Sequence, residues 1–517
     1  MNTLNKFLSK GLMAALVLVV AAACSEDALD KVSKDINHLP DVPPKYTLAD
    51  VIASSAKNTG GDINTYTACY IEHEAGSFNQ LYRAEMRTGE PSSSSTLNNA
   101  WNAVYKTLLD AKDVIDKCSD NSGLYFGNDV TLGMAEVMMA YNWALLTDMF
   151  GDVPFTEALN PDLTITPKVD KQEAIYDEIF RLLSSAIDHL QKKDKDGVGS
   201  FDLLYNGDAA KWIKFARGLR ARYTMRLMKV RTPDYAQVLA DIDASFSDAS
   251  EQAAYAHYQG YGTNNINPLC DFALFSRDGY FGASQSMHSK LEARNDPRDT
   301  TLFLNIDGDW EEMTAPTNLA PNGMVEHVQN GYAYSVFYLC GTAPTYYLSY
   351  HELLFLKAEA QVRNSDVASA QASLKEAVEA AMENSENSRL DAEWAYDADR
   401  VAVGLDTIAS DYFDTQVLPL FTAEPLKEVM VQKYIAMWGA NGESPEAYND
   451  IRRLKALGED FIVLENPKNT NSAGANRFPL RLPYGNGDTT TNPNVKERFG
   501  DGGYVYTEPV WWAGGTR

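Results

Sequence analysis

From Ala174 onward the apolar residues Ile175, Ile179, Leu182, Leu183, Ala186, Ile187 and Leu190 return at intervals of three and four. Only a helix places residues so spaced on one face, so this stretch is an amphipathic helix with a stripe to bury. Trp101, Val104, Tyr105, Leu108, Leu109 and Ile115 draw a second stripe of the same period. A third follows Asp208, a residue type suited to capping a helix start, and carries Trp212, Phe215, Ala216, Leu219 and Tyr223. Lys211, Lys214, Arg217, Arg220 and Arg226 fall largely on the other faces of that helix and read as a solvated surface. Between Leu132 and Phe150 the chain is apolar nearly all round, which requires a helix sandwiched between others. Gly151 stops it, with Pro154 just beyond.

A further pair of helices is expected over Tyr346 to Arg363 and Asp366 to about Met382, with Val367, Ala370, Leu374, Ala377, Val378 and Ala381 as the second stripe. Joined at Asn364-Ser365, the two make a hairpin that cannot cover its apolar faces alone and must stack on neighbours. The small residues Ala358 and Ala360 give it the look of a tetratricopeptide unit. The expected fold is therefore mainly α: tetratricopeptide-like hairpins forming a superhelical scaffold over about 97–230, 346–384 and 424–457. Residues 45–96, 240–345, 385–423 and 458–517 are rich in Gly, Asn, Pro and aromatics and read as loop-dominated, with a few short strands, packed onto the helices. Long loops on a rigid frame are where binding residues concentrate.

The chain opens with Lys6 and Lys10 ahead of an apolar run from Gly11 to Ala23. That run falls short of the about 20 apolar residues a spanning helix needs, so residues 1–23 read as a secretory signal. Ser25 to Pro44 is polar and poor in packing groups, so 24–44 reads as a flexible tether and 45–517 as the folded domain. The 71 acidic against 45 basic residues, a formal charge of -26, repel nucleic-acid phosphates, which excludes nucleic acid as a partner. With Cys24 set aside, Cys69, Cys118, Cys270 and Cys340 are widely spaced and include no C-x-x-C pair. Zinc is therefore disfavoured, and a disulfide lacks support.

Catalytic signatures are incomplete. Gly282 to Ser286 reads GASQS and lacks the closing glycine of a nucleophile elbow, and His351-Glu352 lacks the second histidine of a metalloprotease helix. The acidic runs at 241–251 and 305–312 resemble calcium loops but miss the glycine and terminal glutamate at the required positions, so no cofactor is expected and calcium is at most a weak candidate. Binding residues are better represented. Aromatic planes stack on apolar ligand faces while amides, carboxylates and arginine pair with ligand polar groups, and the chain holds 28 Tyr and 8 Trp. Two clusters combine these types: Tyr66, Tyr70, Glu72, Phe78, Tyr82 and Arg83, and then Tyr332, Tyr334, Phe337 and Tyr338. Arg277, Tyr280, Phe281 and Trp310 form a looser third group. Trp101, Trp143, Trp212, Trp438, Trp511 and Trp512 fall on scaffold segments and read as core.

Several segments, in order, resemble the SusD/RagB family of nutrient-binding outer-membrane lipoproteins. WNAVYKTLLDAKDVID and AYNWALLTDMFGDVPF resemble the first family helices, and KLEARNDPRDTTLF carries the family's Asn-Asp-Pro-Arg. HELLFLKAEA, VMVQKYIAMWG, AYNDIRRLKALG and NRFPLRLPYGNGDTTTN follow with the family's later segments, although RRLKALG departs from the more usual Arg-Arg-Thr-Gly. Ala21-Ala22-Ala23-Cys24 is similar to a lipobox, with Ala21 where Leu is preferred, and Ser25-Glu26-Asp27 to a surface-export signal. The resemblance implies lipidation at Cys24, anchoring in the outer membrane facing the exterior, and membrane contact through that anchor only. It also implies a SusC-like TonB-dependent barrel transporter as partner, oligosaccharide or alternatively oligopeptide ligands, and no covalent chemistry. A surface hydrolase is the remote alternative.

Overall fold

The nearly all-apolar stretch is one helix, Asp129–Phe150, with every side chain from Val130 to Phe150 buried. The structure, a computed structural model, describes residues 41–85, 87, 95–306, 332–392, 404–465 and 478–516. Within the compact unit Pro44–Arg517, this central helix packs against Pro44–Asn58, Ser95–Ser119 and Gln172–Leu190. Close approach to the last depends on Gly133, where a β-carbon would lie 2.7 Å from Cγ of Leu190 and 3.0 Å from the Ala186 carbonyl oxygen. The helix ends where Gly151 turns to φ +82°.

The stripes are buried as their period requires. Gln172–Leu190 buries Ile175, Ile179, Leu182, Leu183, Ala186, Ile187 and Leu190. Ala209–Arg226 starts at Asp208, whose carboxylate accepts from the N–H groups of Ala210 (3.0 Å) and Lys211 (3.3 Å). Tyr350–Arg363 and Val367–Asp391 pack on each other as the expected hairpin, capped by Ser349 and Asp366. Trp101, Trp143, Trp212, Trp438 and Trp512 are buried, and Trp511 is half-buried.

The basic face of Ala209–Arg226 differs from expectation. Arg226 is buried and paired with Asp148 (2.6 Å) and with Glu446. Its neighbour Arg222 is buried against Glu352. The RRLKALG segment joins this polar core: Arg453 holds Glu359 (2.6 Å) and Asp450 (2.9 Å), and Arg452 lies over the rings of Tyr448 and Trp512. Helical spacing alone cannot tell a solvated arginine from one facing a carboxylate on a neighbouring helix.

Two segments expected as loop are helical. The 45–96 region contains Pro44–Asn58, Asn64–Tyr70 and Asn79–Glu85. In 385–423, Val367–Asp391 continues to its end and is followed by Leu405–Tyr412, a π turn at Phe413–Val417, and Leu418–Ala423. Leu405, Ala409, Tyr412, Phe413, Val417 and Phe421 form the buried stripe of this second region, widened at the π turn and diluted by the acidic residues between them. Among the described residues, β-structure comprises an isolated bridge between Asn128 and Asp194 and four two-stranded antiparallel ladders. They are Glu74–Gly76 with Phe281–Ala283, Val153–Pro154 with Val169–Asp170, Ala253–Tyr255 with Thr345–Leu348, and Phe303–Ile306 with Tyr332–Ser335. Cys69, Cys118, Cys270 and Cys340 are buried thiols.

Candidate functional site

The ladder pairing Glu74–Gly76 with Phe281–Ala283 brings together two parts of the chain some two hundred residues apart, with Gly76 opposite Phe281. Just beyond it, Ser77 donates from its N–H to the Tyr280 carbonyl (2.9 Å) and from its hydroxyl to the Gly279 carbonyl (2.6 Å). These bonds set Phe78 beside Tyr280, ring centroids 5.3 Å apart in an edge-to-face contact. The Asn79 amide donates to the Tyr280 hydroxyl (3.2 Å) and accepts from Arg83 (3.0 Å). Phe78 is 56% exposed and Tyr82 37%, so this corner presents aromatic surface, an amide and a guanidinium to solvent.

An open cavity of about 600 Å³ adjoins the corner through Phe272, whose ring meets Tyr280 at 6.2 Å. Its lining combines Lys57, Asp62, Thr65, Gln80 and Asn99 from the first helices with Thr263, Asn264, Asp271, Phe272, Ser276 and Arg277 from the middle of the chain. Amides, hydroxyls and charges of both signs thus surround a space large enough for sugar rings. Burial raises the Asp62 carboxyl above the usual carboxylate range, opposed by the charge of Arg277. A second cavity of similar size holds Lys168, Lys171 and Arg498, but these cations are engaged by Glu157 and Asp152.

The sequence-selected residues divide. Phe78, Tyr82, Arg83, Tyr280 and Arg277 meet at the corner and the cavity. Tyr66, Tyr70 and Glu72 are buried instead: Tyr66 leans on Tyr70, Tyr70 on Tyr448, and Glu72 accepts from the Glu465 N–H (2.7 Å). Phe281 stacks on Tyr338 (5.7 Å), Tyr334 packs edge-on to Tyr338, and Phe337 edge-on to Trp438, all within the core. These seven side chains support the surface and are closed to a ligand in this conformation. Tyr332 lies in the strand Tyr332–Ser335. Trp310 and Cys24 lie outside the described residues, as does nearly all of the 305–312 acidic run.

The Tyr338 hydroxyl (2.6 Å) and the Trp438 indole N–H (2.9 Å) both donate to Glu74, whose carboxyl burial pushes up to about 8. The acidic run 241–251 is occupied by protein partners: Asp241 takes Arg217 and Arg220, Glu251 takes Lys214, and Asp248 accepts from Ser250. His351 bonds Glu443 (3.0 Å) inside the core, and Ser286 accepts from Lys290 (2.6 Å). Among the described residues, no group of three or more His, Cys, Asp or Glu could hold a metal ion, and no helix is long and apolar enough to cross a membrane.

Sequence reasoning missed Lys57, Asp62, Thr65, Gln80, Asn99, Asn264, Asp271 and Phe272 as cavity lining. The one available signal was Thr59-Gly60-Gly61, which interrupts an otherwise helical stretch beside Asp62.

A family profile described as SusD-like, starch-binding associating with outer membrane, matches residues 40–485. A solved SusD/RagB family protein from Bacteroides thetaiotaomicron is 48% identical with a TM-score of 0.84, the match covering 92% of this chain and all of that one. A structure described as a chitin-binding protein is 23% identical at TM-score 0.69 over 91% of this chain and all of its own. A SusD homologue from Bacteroides fragilis is 18% identical at TM-score 0.68 with the same coverage. No protein of curated function matches.

Proposed function

The chain belongs to the SusD-like family of nutrient-binding outer-membrane proteins, and from that premise we propose that it captures oligosaccharides at the cell exterior and passes them unaltered to a SusC-like TonB-dependent barrel transporter. The observation that carries the ligand class is exposed Phe78, edge-to-face on half-buried Tyr280, beside a cavity lined by amides, hydroxyls and charges. An aromatic face takes the C–H side of a sugar ring while the neighbouring polar groups pair with its hydroxyls. The starch-binding description of the family and the chitin-binding description of one structural neighbour point to the same class. Capture is equilibrium binding, with no bond made or broken.

Attachment runs through Cys24, acylated after removal of residues 1–23, because the signal run precedes it and a polar tether follows. Replacing Cys24 by Ser then shifts the protein from the membrane fraction to the soluble fraction. A stable complex with the barrel buries over about 1,600 Å² and survives co-purification.

The decisive test is isothermal titration against a panel of oligosaccharides and oligopeptides, using the wild type and Phe78→Ala. Glycan binding weakened about tenfold by Phe78→Ala is expected, in line with loss of one stacking face. Retention of peptides alone transfers the site to an oligopeptide ligand, and turnover of any panel member by the pure protein overturns the non-catalytic reading.

A further inference from the structure

Glu74 opens the first strand of the ladder that pairs Glu74–Gly76 with Phe281–Ala283, and it is only 3% exposed. Its partners are neutral donors: the Tyr338 hydroxyl at 2.6 Å, the Trp438 indole N–H at 2.9 Å and the Ser335 hydroxyl. Phe281 stacked on Tyr338, with Phe303 and Phe337 against Trp438, walls those partners with apolar rings. A carboxylate buried without a cation bonded to it is costly, so such a site favours the protonated acid. Burial accordingly pushes this carboxyl up to about 8.

Other titratable groups surround it. The helix Asn64–Tyr70 brings the Cys69 thiol and the strand Tyr332–Ser335 the Tyr334 phenol, both close to Tyr338. The helix Pro425–Ala436 presents Tyr434, and burial raises its hydroxyl and that of Tyr338 well above the ordinary phenol range. On the segment of Glu74 itself, His73 bonds Ser444 and the Tyr434 carbonyl, and burial holds it neutral, at about 3. Glu85 accepts from the Gly76 N–H at 3.1 Å. Glu72 and Glu465 act on Tyr434 as well, and the facing cation, Lys290, is set against these two carboxylates and bonded to Ser286.

The Tyr338 hydroxyl has a second acceptor within reach, the Gly282 carbonyl at 3.4 Å, and Gly282 stands opposite Ala75 in the ladder. We infer that Glu74 and Tyr338 form a proton-operated latch on this ladder. With Glu74 protonated, its O–H donates to the Tyr338 oxygen and the Tyr338 O–H turns to the Gly282 carbonyl, so one run of bonds joins the two strands. When Glu74 releases its proton to water, the Tyr338 hydroxyl is drawn to the carboxylate and the link to Gly282 is given up. The charge that remains in the apolar wall is relieved by opening the ladder to water. Acid therefore closes the latch and base loosens it. The ladder continues into the bonds between Ser77 and the Gly279–Tyr280 segment, so the latch sets how firmly the exposed Phe78 corner is held, whichever ligand the protein captures.

The test is amide hydrogen exchange of the full chain, read by mass spectrometry on peptides covering 72–78 and 279–284 and corrected for the intrinsic pH dependence of exchange. Wild type, Glu74→Gln and Tyr338→Phe are compared, with peptides from the Gln172–Leu190 helix as the internal control. A carboxyl that titrates near 8 in the closed ladder and near 4.3 in water makes opening about tenfold easier per pH unit from about 5 to 7.5, levelling off above 8. Glu74→Gln keeps the shape of the acid, and its amide donates to Tyr338 as the protonated carboxyl would, so its ladder exchange stays at the low-pH wild-type level throughout. Tyr338→Phe exchanges faster than wild type already at pH 5.5, having lost the bond to Gly282, and keeps the pH slope. A wild-type change below about twofold between pH 5.5 and 7.5 overturns the latch, as does a Glu74→Gln variant that follows the wild-type slope. A parallel change in the Gln172–Leu190 peptides overturns it too, because the whole scaffold is then loosening. The infrared carbonyl band of a protonated carboxylic acid at pH 6.5, present in wild type and missing in Glu74→Gln, reads the proton itself, and its absence from wild type removes the premise.

Discussion

Replacing Arg222 by Met tests the polar core directly. Arg222 and Glu352 are 3% and 1% exposed and meet side-on, with the guanidinium Nε 2.8 Å from Oε1 and a terminal nitrogen on Oε2. Burial already pushes the Glu352 carboxyl up, and Arg222 is the first charge opposing that rise. Removing one partner of such a pair leaves an uncompensated buried charge, a loss of about 3–5 kcal/mol. For the roughly 470 residues of the compact unit, an unfolding entropy of about 2.1 cal/mol/K per residue gives about 1 kcal/mol/K, so the melting temperature falls by about 3–5 °C. The double variant Arg222→Met, Glu352→Leu removes both charges and recovers most of that loss, because the pair's attraction and its desolvation nearly cancel. In Arg222→Met the folded-state pKa of Glu352 rises further above its unfolded value near 4.3, so the deficit is smaller at pH 5 than at pH 7.5. Urea unfolding and calorimetry at both pH values read all three quantities. A single-variant loss below about 1 kcal/mol, or a double variant worse than Arg222→Met, refutes the reasoning.

Glu359 and Asp450 are held below their usual ranges, Glu359 at about 2, because Arg453 with Arg363 and Lys433 outweigh the effect of burial. Their stabilisation is complete above the unfolded carboxylate values near 4 and is lost as pH falls toward 2, which urea midpoints between pH 6 and 3 will record. Glu74 has the opposite sign: with its folded value near 8, its contribution declines as pH rises from about 5 to 8, and Glu74→Gln flattens that part of the stability profile. Gly133→Ala forces a β-carbon into Leu190 and the Ala186 carbonyl and lowers stability by about 1–3 kcal/mol, seen as a reduced melting temperature.

The helices were legible because their stripes are local: Ile175 to Leu190 carries its period within a single segment, and burial follows from period alone. The arginines were not, because whether Arg226 faces water or Asp148 depends on a helix that begins about eighty residues earlier. The same reason separates the aromatics. Phe78 and Phe281 look alike in sequence, each an aromatic near glycines, yet the ladder that pairs Gly76 with Phe281 exposes the first and stacks the second on Tyr338. Residue type groups these aromatics together, while the long-range strand pairing decides which of them reach solvent.

That pairing also explains why a small ladder matters in a helical protein. Phe78 and Tyr280 sit on segments about two hundred residues apart, and an exposed aromatic corner keeps one orientation only if those segments are tied together. Six paired residues join them, and beneath the ladder Glu74 accepts from Tyr338 and Trp438, which tie it to the strand-turn at 332–339 and to the end of the Pro425–Ala436 helix. The buried aromatics Phe281, Phe337 and Tyr338 therefore support the exposed Phe78 corner from below, Phe281 stacked on Tyr338 and Phe337 edge-on to Trp438. Exposed and core residues in this part of the chain are two layers joined by the ladder and by the bonds of Glu74, so the core layer sets the orientation of the exposed one.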